Sequence, residues 1–292
     1  MTIFNLLSNP ILSRIILRAA VVGALVALSA SVLGVTMVLK RMSMIGDGLA
    51  HAGFGALAVA TLCGAGDFEM EVSIPIVMVT ALFLMFLSER GVMGGDAAVA
   101  VISTGMMTAG VLIFSFTTGY TADMCSSLFG SASILTITNK DLLMSILLAA
   151  AVLILFVLFY TKIFAVTFDE TFSWSVGIHV WVYKLIVAAM IAVTVVVGME
   201  MIGSLMISAL VVFPALTAMR ICRSFRGVLV TAGICSVCCF FVGFIISCEL
   251  ALPAGASVVS VDLCLYVIVS AVTAVRTSRR RRMFIKENEA VS

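Results

Sequence analysis

Read for its apolar and polar positions, the chain breaks into long apolar blocks at roughly 15–39, 46–64, 72–88, 97–116, 142–161, 185–199, 202–219, 228–248 and 254–275. Blocks of about 17 to 24 residues have the length a helix needs to cross roughly 30 Å of hydrocarbon. Backbone groups in lipid must find partners within the segment or in a closed barrel. A barrel would show alternating strands of about ten residues, and this sequence has none. The pattern therefore predicts an all-α polytopic bundle of eight to nine spans, occupying residues 1–292 as one membrane domain. The blocks 185–199 and 202–219 are short and nearly contiguous, so they read either as two spans or as one span followed by a re-entrant helix.

Composition strengthens this reading. Of 292 residues, 63% are hydrophobic and 11% charged, against about 25% charged in soluble domains. The first block ends in Lys40-Arg41 without a small-residue cleavage site, which predicts a retained span. Six of the eight cysteines (Cys222, Cys235, Cys238, Cys239, Cys248 and Cys264) lie in or beside apolar blocks, where cysteine acts as a small hydrophobe.

The 17 basic residues are segregated. Nine crossings, with the N-terminus outside and the C-terminus in the cytoplasm, put all but Arg14, Arg18 and Lys140 on the cytoplasmic side, as the positive-inside rule requires. Arg14 and Arg18 fit poorly, which suggests that the first segment lies partly along the interface. The outer loops then carry Asp67, Glu69, Glu71, Asp123, Asp141 and Glu200. These acids either fill loops that basic residues avoid or form a rim that concentrates cations. The run Arg279–Arg282 opens a basic cytoplasmic tail, 277–292. Directly after a span it reads as a stop-transfer signal and an anionic-lipid contact, not as a nucleic-acid patch.

Ionisable groups inside a bilayer are costly and so are candidates for function. Asp47 and His51, in the stretch Gly46 to Gly55, stand one helical turn apart, where two side chains reach the same point. A carboxylate and an imidazole there either ligate one metal ion or form a hydrogen bond that closes the turn. Two ligands hold an ion weakly enough for it to leave, and a second copy of the helix would raise the set to four. Asp262, within the last block, either lines a pathway or bonds to a serine or backbone group. Glu200, at an outer helix end, is either solvated or an entrance ligand. His179, between Trp174 and Trp181, reads as part of an interfacial helix. Met199, Met201 and Met206 read as packing. The chain contains no GxxxxGK[ST], HExxH or GxSxG pattern, so an energy source lies in a partner or an ion gradient.

Four stretches, in order, resemble the zinc/manganese/iron ABC importer permeases. Lys40 to Ala52 is similar to the signature after that family's first span. Leu128-Phe129-Gly130-Ser131 followed by Asp141-Leu142 resembles a loop before a span. Ile202 to Arg220 is similar to the most diagnostic segment, and Pro253 to Val259 to the opening of the last span. The resemblance implies the architecture of a type II ABC importer permease, with vitamin B12-type importers as architectural relatives. It implies a bacterial cytoplasmic membrane, a homodimer or a pair of related permeases, two cytoplasmic ATPase subunits and an external metal-binding protein. By position, Asp47 and His51 match the family's intramembrane metal-contacting pair. The cargo would be a divalent metal (Zn, Mn or Fe), with no permanently bound cofactor, and the Gly-Asp-Gly-Leu-Ala-His stretch looks closer to zinc-type members. Residues 214–226 match the cytoplasmic segment that contacts the ATPase. There Pro214 is expected to interrupt a helix, and Arg220, Arg223 and Arg226 to recur on a short surface helix. Asp262 stands where that family is expected to carry an apolar residue. The rival to an ATP-driven importer is a proton-coupled secondary metal transporter relaying through Asp47, His51 and Asp262.

Overall fold

The computed structural model describes residues 10–64, 68–90, 95–117, 139–250 and 252–291. The described chain is helical: α1 (Pro10–Leu39), α2 (Ser43–Leu62), α3 (Glu69–Arg90), α4 (Gly95–Thr117), α5 (Asn139–Leu158), α6 (Tyr160–Phe168), α7 (Glu170–Ser175), α8 (Val180–Ile202), α9 (Ser204–Ile221), α10 (Phe225–Leu250) and α11 (Ala254–Val291). Eight of these helices are individually long and apolar enough to span. The pair α5–α6 qualifies only together and is bent by 71°. With that pair counted as one crossing there are nine, as the apolar blocks predict. Asp67, Asp123, Cys125 and the stretch Leu128–Ser131 lie outside the described residues.

Burial follows the logic of a bilayer. Large apolar side chains such as Phe83, Leu112, Phe116, Ile154, Val230 and Ile268 are exposed on the outside. Helix α1 is the central post, packed on α5, α8, α9 and α10. Its inner face is lined with small and β-branched residues (Val22, Val26, Ala27, Ala30, Val35) that allow close approach. Buried hydroxyls are satisfied mainly along their own helices, as Thr36 donates to the Leu33 carbonyl and Thr194 to that of Met190. One crosses between helices: the Ser236 hydroxyl of α10 donates to the Ala27 carbonyl of α1 at 2.9 Å. Helix α1 is continuous over 30 residues, about 45 Å. Its first turns can thus extend past the hydrocarbon, and the expected stretch along the interface is not needed to accommodate Arg14 and Arg18.

The basic end is held together by ion pairs. Lys40, after α1, and Lys184, in α8, both bond Glu170 of α7, so sequence positions assigned to one side do lie together. Arg226, opening α10, stacks over Tyr160 of α6, and Lys162 over Tyr183 of α8, each at 5.5 Å. Because the start of α8 and the connection after α9 both pack on α6 and α7, the chain reverses between α8 and α9, and the pair is two spans rather than a span plus a re-entrant helix. The reversal occurs at one residue, Gly203, with φ 94° and ψ 150°, a region that side chains essentially never occupy.

Two local expectations are corrected. Helix α9 runs unbroken through Pro214, because its buried neighbours hold the helix across the missing N–H. Arg220, Arg223 and Arg226 do not share one surface helix: Arg220 is in the last turn of α9, Arg223 in the bend that follows, and Arg226 in the first turn of α10. Extended backbone at Cys222 (φ −107°, ψ 148°) ends α9, and the Ser224 hydroxyl accepts from the Gly227 N–H to start α10. All three arginines remain exposed at the basic end.

Candidate metal pathway

The turn that feeds α2 is sharply defined. The Met42 N–H bonds the Met37 carbonyl at 2.9 Å and the Arg41 N–H that of Val38 at 3.0 Å, a Schellman closure of α1. Its left-handed position is taken by Arg41 (φ 59°) instead of glycine, a strained choice for a residue with a Cβ. Helix α2 then starts at Ser43, placing Asp47 and His51 about 6 and 12 Å along its axis.

Small residues fix how this helix sits. A Cβ at Gly46 would lie 3.1 Å from Val211 Cγ1 of α9, and one at Gly55 only 2.5 Å from the Met106 carbonyl oxygen of α4. Phe54, fully buried, packs its ring against that of Phe114 of α4, tilted by 42° with centroids 5.4 Å apart. The helix is therefore clamped from two sides, and α9 touches it one residue before Asp47.

Met44, Asp47 and His51 form the remaining face. The Met44 side chain is exposed, that of Asp47 is 50% exposed and that of His51 17%. Asp47 Oδ2 stands 3.6 Å from His51 Nε2, longer than a hydrogen bond. An ion bonded to both at about 2.1 Å would span that gap at an angle of about 120°, close to tetrahedral. The other ring nitrogen, Nδ1, is buried and pairs with no described residue. No group of three or more His, Cys, Asp or Glu side chains suited to a metal occurs among the described residues. One chain thus offers two ligands on an open face, not a closed site.

The other sequence candidates are not brought to this face. Asp262 is 2% exposed on α11, which packs on α9 and α10. Its carboxyl meets the Cys239 thiol, and its Oδ2 lacks a hydrogen-bond partner. No relay joins it to Asp47 and His51 among the described residues. Glu200 is half-buried three residues before the Gly203 reversal, at the end of α8 away from the basic face. His179 is exposed at the N-cap of α8. Met199, Met201 and Met206 are core residues.

A cavity of about 580 Å³ opens at the basic end, lined among others by Lys40, Asp96, Glu170 and Lys184. It receives Met44, Ile45 and Leu49 from α2 but neither Asp47 nor His51, so it meets the pair's face only at Met44, one turn before Asp47. Glu170 joins two of its lysines. Burial alone would raise the carboxyl's pKa, but hydrogen bonds and charges from Lys184 and Lys40 outweigh that and hold it below the ordinary 4.5. Sequence reading gave Glu170 no role, because the two lysines it joins are 130 positions before it and 14 after it, and no local pattern marks that convergence.

The model of the family described as "ABC 3 transport family" matches residues 13–273. A protein of Thermotoga maritima named "Probable metal transport system membrane protein" is 32% identical over 83% of this chain and 85% of its own length. A "Manganese transport system membrane protein MntC" of Halalkalibacterium halodurans is 25% identical over 89% of this chain and 88% of its own. Among solved structures, PsaBC from Streptococcus pneumoniae in complex with Fab superposes with a TM-score of 0.80, covering 91% of this chain and 93% of that one at 21% identity. That likeness is one of fold.

Proposed function

This chain belongs to the ABC 3 transport family, and we propose that it is the permease of an ATP-driven importer carrying a divalent transition-metal ion across a bacterial cytoplasmic membrane. The observation that carries the reading is the Asp47–His51 face of α2. A half-exposed carboxylate within a span is costly against lipid, so it faces water or a second protomer. The 3.6 Å gap to the imidazole suits a bridging cation better than a direct hydrogen bond. Two copies related by a twofold axis would bring four such ligands to one conduit, which makes the homodimer part of the same proposal.

Partner subunits supply the energy. Cytoplasmic ATPases dock on the basic connection around Arg220, Arg223 and Arg226, and an external metal-binding protein delivers the ion at the opposite face. Movement of α9 passes to α2 through the Val211–Gly46 contact, and the bundle alternates between outward and inward access around the pair. Two indications of cargo compete. The Gly-Asp-Gly-Leu-Ala-His motif favours zinc, while several relatives are named for manganese transport. Carboxylate and imidazole accept both.

Uptake into proteoliposomes holding the permease and its ATPase, with manganese, zinc and iron in competition, tests this. The expected result is ATP-dependent uptake of at least one of these ions, abolished by Asp47→Ala or His51→Ala. Uptake that persists at the unmodified rate in both variants removes the pair from the mechanism.

A further inference from the structure

The elbow formed by α6 and α7 touches both ends of the machinery just described. Tyr160, Phe164 and Phe168 lie at i, i+4 and i+8, on one face of α6. All three surround Phe225, with centroid distances of 5.6, 5.1 and 6.0 Å. Phe225 is 8% exposed and opens α10 immediately after the connection at 222–224. The next residue, Arg226, lies over the Tyr160 ring. The inner end of the ATPase-facing connection is therefore bolted to α6 by an aromatic cluster.

At its other end the elbow grips the start of α2. Asp169 caps α7, accepting the Phe172 N–H at 2.8 Å, and so fixes Glu170 as its first residue. Glu170 Oε1 accepts from Lys40 Nζ at 3.0 Å, while Oε2 accepts from Lys184 of α8. Lys40 stands within the α1 closure, one residue before the left-handed Arg41 and three before the first residue of α2. An unbroken chain of contacts thus runs from Phe225 through α6 and α7 to Glu170, Lys40 and the helix bearing Asp47 and His51.

We infer that this elbow transmits movement of the ATPase-facing connection to α2, with Glu170 as the positioning residue that couples ATP hydrolysis to the attitude of the Asp47–His51 helix. The inference rests on the proposed transport function and names a control of the same site. It differs from the direct Val211–Gly46 contact because it acts on the turn before α2, where strained backbone at Arg41 already concentrates the bend. One carboxylate shared by two lysines gives the turn a fixed reference on α8. Loss of that carboxylate leaves the connection free to move without carrying α2 along.

The test uses the full permease with its ATPase in proteoliposomes and compares Glu170→Gln, Lys40→Gln and the double variant. Co-purification of the ATPase, binding of manganese or zinc to the purified permease, ATP hydrolysis and ATP-driven uptake are measured together. Glu170→Gln is expected to keep assembly and metal binding within twofold. Ions moved per ATP hydrolysed should fall about tenfold, within the range of typical coupling energies. Lys40→Gln should lose a similar factor, and the double variant no more than either single one, because both remove the same link. A ratio of ions to ATP within twofold of the unmodified protein, or a loss that only tracks the amount of assembled complex, overturns the inference. Additive losses in the double variant overturn it as well. If the unmodified permease neither binds the ion nor moves it with ATP, the transport reading fails and this inference falls with it.

Discussion

Gly55→Ala tests the clamp on α2 with the smallest change available. The new Cβ would meet the Met106 carbonyl oxygen at 2.5 Å and its carbon at 3.1 Å. That is about 1 Å inside ordinary van der Waals contact, and the obstacle is backbone, so no rotamer change relieves it. Helices α2 and α4 must part, which loosens Phe54 against Phe114. Overpacking of this kind costs about 1–3 kcal/mol, offset in part by the better helix propensity of alanine, up to about 1 kcal/mol. The net expectation is a loss of about 1–2 kcal/mol. At about 2–4 °C per kcal/mol for a chain of this size, the thermal midpoint in detergent should fall by about 2–8 °C. Gly105→Ala, on α4 beside Met106, is the control. Nothing lies within 4 Å of its added methyl, so propensity acts alone and the midpoint should hold or rise. Equal midpoints for the two variants, or a rise for Gly55→Ala, would refute the described packing of α2 on α4.

Other perturbations follow from the same geometry. Gly203→Ala forces a side chain into backbone at φ 94°, ψ 150°; a cost of about 1–3 kcal/mol should lower the thermal midpoint, and an unchanged midpoint contradicts the turn. Arg41→Gly releases left-handed strain at φ 59° and should stabilise the protein by about 1 kcal/mol, measured by the same melt; destabilisation would show the arginine side chain to be holding the turn. The Glu170 bridge has a pH signature. Its folded pKa is depressed, so its stabilisation is full above pH 4.5 and is lost as pH falls through the folded value. Because the carboxylate is half exposed, about 1 kcal/mol is the most to expect. The melts of the unmodified protein and Glu170→Gln should diverge above that pH and converge in acid; parallel curves would deny the bridge.

Much of this molecule was legible because lipid leaves a helix few options. The number and position of spans follow from block length, and the sorting of lysines and arginines matches the ion pairs found at one end. The Asp47–His51 pair was visible because charge inside an apolar block is rare and helical spacing is fixed. Pro214 misled because proline breaks helices in water more readily than in a packed membrane bundle, where α9 carries it through. The arginines 220, 223 and 226 have helical spacing, but an extended residue at Cys222 divides them between two helices. The 71° bend after Leu158 and the Phe225 cluster were hidden because they arise from contacts between distant segments. Asp262 gave the signal of an intramembrane charge, yet its neighbours are thiols of α10 and not the α2 pair.

In the proposed function, one turn of α2 presents an acid and an imidazole to a passing dication. Anomalous diffraction from permease crystals grown with manganese, and separately with zinc, would locate that ion. The expected result is a peak within about 2.0–2.2 Å of an Asp47 oxygen and a His51 nitrogen, absent in Asp47→Ala. A peak elsewhere with the α2 pair unligated, or one that survives that substitution in place, would remove Asp47 and His51 from the pathway.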